Sequence, residues 1–217
     1  MLMEEKIKIK AIKISLLGDS TVGKTAISYS FLNVEFREGA ILTVGIDKLD
    51  TNFTLKSNKK IKLIIWDTAG QERFQSLALR TLTTSHGVIL VFDVSNRSSF
   101  ININKWLEKI EEQFNDPCIV LFGNKVDLDK NKWQVTNEEI DKLVKAKNLA
   151  YFETSAKAKI GIDEGFSYIV NEAYDKIKGK SNENIIIEKE NAEKENKEIK
   201  KKDKNCACSG SEKKKNV

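Results

Sequence analysis

Residues 8–25 read KIKAIKISLLGDSTVGKT. The first part, KIKAIKISLLG (8–18), is dense in β-branched and apolar residues and predicts a strand. The second part, GDSTVGKT (18–25), fits G-x-x-x-x-G-K-[ST]. Gly18 and Gly23 let the backbone curl until successive N–H groups point inward at phosphate oxygens. Lys24 offers a positive charge to the β and γ phosphates, and the Thr25 hydroxyl can bind Mg²⁺. A glycine-rich turn without a ligand can carry the same letters. The strand before the loop and the helix-like AISYSFLN (26–33) after it argue against that. Strand, phosphate loop and helix together open an α/β fold.

Further along, IKLIIWD (61–67), GVILVFD (87–93), CIVLFGN (118–124) and AYFETS (150–155) also predict strands. Near-continuous apolar runs are expected of strands covered on both faces of a mostly parallel sheet. Helical spacing of apolar residues marks 98–114, 136–147 and 162–177, and Thr136 with Glu139 forms a capping-box start. The stretch KLDTNFTLKSNKKIKLIIW (48–66) predicts a hairpin that turns at SNKK. Alternating elements of this kind imply a doubly wound α/β architecture.

Three more stretches carry chemistry, each at the end of a predicted strand. In WDTAGQERF (66–74), Asp67 can hold a Mg²⁺-bound water. Gly70 can bring its N–H against a terminal phosphate, and Gln71 can orient an attacking water. In GNKVDL (123–128), the Asp127 carboxylate can accept from both the N1–H and the exocyclic amine of guanine, a pair that adenine lacks. By itself NKVD is also a common polar turn. In TSAK (154–157), the Ala156 N–H can face the guanine O6. Open α/β sheets bind their ligands at such strand ends.

With GDSTVGKT, TVGID (43–47), WDTAGQERF, GNKVDL and ETSAK (153–157) in this order, the chain resembles a small GTPase of the Ras superfamily, most like a Rab. DVSNRSSF (93–100) is also similar to a Rab stretch. The resemblance covers about residues 10–177. It implies a P-loop NTPase G domain over 1–177, with a six-stranded mostly parallel sheet and five helices. It also implies a GTP/GDP switch that hydrolyses GTP with Mg²⁺. Ser20, Thr21, Val22, Gly23, Lys24, Thr25, Ala26 and Gly70 would surround the phosphates. Phe36, Asn124, Lys125, Asp127, Ser155, Ala156 and Lys157 would hold the base. Thr25, Thr43 and Asp67 would serve the metal, and Gln71 the attacking water. Exchange factors, GTPase-activating proteins and effectors would meet loops 36–48 and 68–84. A GTP-bound scaffold with little turnover is the alternative.

Departures from the Rab pattern are specific. Thr21 stands where a glycine is usual, and Ala40 where a tyrosine closes over the nucleotide. Ser20 occupies a position that is glycine in Ras and often serine in Rabs. Lys48 replaces a phenylalanine and Thr81 a tyrosine, which leaves Trp66 alone of an aromatic effector surface. His86, the single histidine, reads as a surface or capping residue. Trp106 and Trp133 read as packing or partly exposed aromatics, Pro117 as the opening of a strand, and Cys118 as a small buried hydrophobe.

The net charge is +5, and residues 178–217, with 12 Lys against 8 acidic residues, hold +4 of it. A nearly neutral body does not suggest nucleic-acid binding. The tail is rich in Lys, Glu and Asn and lacks aromatics, so it is expected to be a disordered or weakly helical linker. It carries KKKDKNCACSG (200–210), where Cys206 and Cys208 beside basic residues suggest a lipid anchor at a membrane surface, by prenylation or palmitoylation, with two unmodified thiols as the alternative. The final KKNV does not fit C-a-a-X. No signal-peptide stretch, N-terminal myristoylation site or membrane-length apolar run is present, so the expected location is cytoplasmic, peripheral on the cytosolic face of an endomembrane.

Overall fold

The computed structural model describes residues 9–34, 45–70, 75–114 and 116–180, with only the backbone of Gln75 and Leu77. Phe36, Ala40, Thr43 and Gln71 lie outside the described residues, as do Cys206, Cys208 and the tail from 181 onward. One compact unit spans Lys8–Asp175. A second comprises Met1–Ile7 with Lys176–Val217, of which 176–180 are described, as the end of a helix.

Among the described residues six strands form one sheet in the order β2-β3-β1-β4-β5-β6. They are β1 (Ala11–Leu17), β2 (Ile46–Thr54), β3 (Lys60–Thr68), β4 (Gly87–Asp93), β5 (Cys118–Asn124) and β6 (Ala150–Thr154). Only β2 and β3 run antiparallel, with Lys48 opposite Trp66. Their connection closes through Leu55 N–H to the Lys59 carbonyl at 2.9 Å, with Asn58 in the left-handed region at φ 59°. The hairpin therefore turns where SNKK predicted. β1 is central, with Ile14 opposite Ile65 of β3 and Gly87 of β4. All seven residues of β4 are buried, as its unbroken apolar run requires.

Helices cover both faces. α1 is Lys24–Phe31, α2 Gln75–Arg80, α3 Arg97–Ile101, α4 Ile103–Gln113 and α5 Asn137–Lys147. A final helix, α6, occupies 162–180. α3 and α4 are one predicted helix interrupted by a turn at Asn102, so among the described residues five helical units accompany the sheet, as expected. α5 begins with the predicted capping box: Thr136 accepts from the Glu139 N–H, and the Glu139 side chain accepts from the Thr136 N–H. α6 continues three residues past 177.

Leu90, Phe92 and Leu121 of the sheet pack with Trp106, Leu107 and Ile110 of α4. Elsewhere Phe31 of α1 stacks on Phe166 of α6 with ring centroids 4.0 Å apart. Burying such a side chain fully contributes about 1.5–3 kcal/mol, and the half-buried Phe31 contributes less. Cys118 is only half-buried, contrary to its sequence context. As the first residue of β5, directly after Pro117, it sits at the end of the strand, where cover thins. Among the described residues no helix is long and apolar enough to cross a membrane.

Candidate nucleotide-binding site

The sheet order places partners of β1 on both sides. The crevice beyond its C-terminal end is therefore open to loops from β1, β3 and β5, the expected ligand position in a doubly wound sheet. Gly18 follows β1 directly, Asp67 and Thr68 end β3, Asn124 ends β5 and Thr154 ends β6.

The loop 18–25 is folded around Lys24, which is 5% exposed. Its ammonium donates to the carbonyls of Gly18 at 3.0 Å and Asp19 at 2.7 Å. Burial pushes its pKa down from 10.5 to about 8, against the pull of Asp67 and Asp19. A buried cation held chiefly by carbonyl groups suits an anionic ligand. Gly70 lies so close that a Cβ there would come within 2.3 Å of the Asp19 carbonyl and 2.4 Å of Lys24 Nζ. Gly23 has φ 102°, and a Cβ would stand 2.3 Å from Asn124 Nδ2. It is also the N-cap of α1, where no side chain caps the helix. The first N–H groups of α1 thus face the loop, an arrangement suited to phosphate.

Thr25 donates its hydroxyl to Asp67 Oδ2 at 2.6 Å. Asp67 is fully buried, and its Oδ1 has no hydrogen-bond partner. Burial, partly opposed by the Thr25 hydrogen bond and by Lys24, raises its pKa to about 6. A buried carboxylate with an orphaned oxygen beside a hydroxyl fits a hydrated Mg²⁺. Among the described residues no cluster of three His, Cys, Asp or Glu side chains could hold a metal. A cation here would draw further oxygens from phosphates and water, which is the habit of Mg²⁺.

Asn124, 2% exposed, binds the other loops together. Its Nδ2 donates to the Val22 carbonyl at 2.8 Å, and its Oδ1 accepts from the Ala156 N–H at 3.3 Å. That N–H, expected to face a base, is therefore already engaged, though at a long distance. Lys125 has φ 70° and pairs with Asp93 Oδ2 at 2.7 Å. Asp127 is exposed, and its Oδ1 accepts from the Ser155 hydroxyl at 2.5 Å. Ser155 in turn accepts from the Ala158 N–H at 2.9 Å, which fixes the carboxylate's orientation. Lys157 is exposed, while Ser20 and Ala26 are half-buried on the loop and the first turn of α1.

Sequence reasoning missed Asp93, Asp19, Asn102 and Trp106. Asp93 opens the quoted DVSNRSSF, but only the fold shows that it holds Lys125. Asp19 filled a free position of the loop pattern, and its partners lie 83 and 87 residues away.

The remaining aromatic of the partner surface, Trp66, is half-buried, with Lys48 Nζ 6.0 Å from its ring centroid. Thr81 is no surface residue, being 6% exposed. Its hydroxyl donates to the Ala78 carbonyl and accepts from Ser15, which also bonds Ser85 at 2.6 Å. His86 joins β1 through its Nδ1, which accepts from the Lys13 N–H.

The family model described as "Ras family" matches residues 13–175. The chain is 38% identical over 177 residues to Ras-related protein Rab-8 of Diplobatis ommata, covering 81% of this chain and 83% of that one. It is 38% identical over 182 residues to Ras-related protein Rab-10 of the same organism, covering 81% and 88%. Against Ras-related protein Rab-13 of Bos taurus it is 38% identical over 161 residues, 74% and 78% of the two chains. With a buried lysine in the loop 18–25, a Thr25–Asp67 pair and an oriented Asp127 at the ends of β1, β3 and β5, this chain belongs to the Ras family, as a Rab-like member.

Proposed function

We propose that this chain is a guanine-nucleotide switch: it binds GTP and GDP with Mg²⁺, hydrolyses GTP slowly, and regulates membrane traffic. The observation that carries this reading is the convergence of Lys24, the Thr25–Asp67 pair and the Ser155-oriented Asp127 at one edge of the sheet. Lys24 supplies charge to the β and γ phosphates. Asp127 selects guanine. Mg²⁺, when bound, neutralises charge developing on the phosphate oxygens. Thr25 and Asp67 would hold it, with Thr43 by family resemblance. Phe36, Lys125 and Lys157 would frame the base, and Gln71 would orient the attacking water. Loops 36–48 and 68–84 would offer the partner surfaces. The Rab relatives support this role, and residues 178–217 would tether the domain 1–177 to an endomembrane.

Base choice tests the reading. Asp127→Asn should weaken GTP and improve xanthosine triphosphate, whose ring offers the complementary groups. Equal wild-type affinity for ATP and GTP would sink it. A second reading, a GTP-bound scaffold with little turnover, draws on Thr21, a β-branched residue at φ 65° in the phosphate loop. Single-turnover hydrolysis by the wild type and by Gln71→Leu separates the two. A switch hydrolyses and loses rate in the variant; a scaffold shows no rate to lose.

A further inference from the structure

Asp19 places a carboxylate in a loop shaped to receive phosphates, where a negative charge opposes the ligand. Both of its oxygens are occupied from the helix side. Oδ2 accepts from Asn102 Nδ2 at 2.7 Å, and Oδ1 accepts from the Trp106 indole N–H at 2.9 Å. Asn102 and Trp106 are four residues apart at the start of α4, so both reach the loop from one face. The main chain of Asp19 faces the other way, its carbonyl accepting from Lys24 Nζ at 2.7 Å. Residue 19 thus splits its two acceptor groups between α4 and the ligand-binding lysine.

That division has an electrostatic consequence. The charge of Asp19 already acts on Lys24. A carboxylate released from α4 would have room to move, because a cleft of about 410 Å³ opens there, lined also by Ser20, Gly70 and Lys105. Turning inward, it would pair with the Lys24 ammonium and stand against an incoming phosphate. Trp106 is 4% exposed, so its N–H needs an acceptor within the protein, and half-buried Asp19 provides one.

We propose that Asn102 and Trp106 are positioning residues of the phosphate site. They hold the Asp19 carboxylate on the α4 side of the loop and leave the charge of Lys24 to the nucleotide. This rests on the guanine-nucleotide reading above.

The test is a double-mutant cycle on the full chain, with GDP and GTP affinities measured at fixed ionic strength. Trp106→Phe keeps a ring and removes the donor; Asn102→Ala removes the other. Each should weaken binding several-fold, and the pair about tenfold. In an Asp19→Asn background, which removes the charge, adding Trp106→Phe should change affinity less than twofold. A purely structural role would give the same loss in both backgrounds, and that result overturns the proposal. So does unchanged affinity in the Asn102→Ala/Trp106→Phe pair. If Trp106→Phe melts early, Asn102→Ala with Asp19→Asn runs the same cycle from a half-buried turn. A wild type without guanine-nucleotide affinity would refute the functional reading itself. Wild-type binding with additive losses would refute this inference alone.

Discussion

Thr21 holds a β-branched side chain at φ 65°, a conformation that glycine adopts freely. The contact of Cβ with the backbone costs on the order of 1–2 kcal/mol there. Thr21→Gly should therefore stabilise the protein by about 1 kcal/mol net, after the greater freedom glycine has when unfolded. For a domain of this size that is about 3 °C in Tm, read by calorimetry. A lower Tm would mean that the threonine side chain makes contacts worth more than the strain. At this scale the sequence is most informative where chemistry forces identity. Lys24, Thr25 and Asp67 could be named because a phosphate loop and a strand-end aspartate have few substitutes. Asp19 could not, because its partners are set by how α4 lies over the loop. The burial of Thr81 was not legible for a related reason: a hydroxyl can face outward or join others in a core, and only packing decides.

Among the elements, α3 and α5 are joined by an ion pair that no local pattern announces. The Arg97 guanidinium donates to both carboxylate oxygens of Glu139, and also to the Gln134 carbonyl at 3.0 Å. Glu139 simultaneously completes the capping box of α5. The box was legible, since its two residues stand three apart. The pair with Arg97, 42 residues away, was not. The Arg97 bond, with the Thr136 N–H next, holds the Glu139 pKa near 2, below its ordinary 4.5. A carboxylate depressed in the fold adds stability that is fully present above its unfolded pKa. That stability fades as pH falls from about 4.5 toward 2. Glu139→Gln should accordingly lower stability at pH 7 and flatten its decline in this acid window. Denaturant melts of both proteins at pH 7, 4 and 3 give the comparison. Parallel curves would show that the pair contributes nothing, as solvent screening allows for exposed partners.

Taking the molecule whole, the alternation of strands and helices made the fold class legible, since period and run length report burial directly. The order of the strands was not, because parallel crossovers leave no mark in the sequence at their points of contact. The tail invites a prediction at this scale. Two cysteines plus a basic cluster would provide the two signals that stable membrane anchoring needs. The double variant Cys206→Ser/Cys208→Ser should shift the protein from membrane pellet to supernatant in cell fractionation. Mass spectrometry of the native C-terminal peptide should show a lipid on one or both thiols. An unmodified peptide with unchanged partition would leave the two residues without a role.

The position of β1 sets a timetable for the birth of the protein. The first strand made is the centre of the sheet, yet Ala11 must wait for Lys62, and Ile14 for Gly87. At roughly 5–20 residues per second of synthesis, the later partner emerges several seconds after β1. Throughout that interval AIKISLL is an apolar segment with no neighbour on either side. Fragments that stop before β4 should aggregate when expressed, and the nascent chain should engage a chaperone early, at its first strand. A strand that ends paired on both sides begins with neither edge covered.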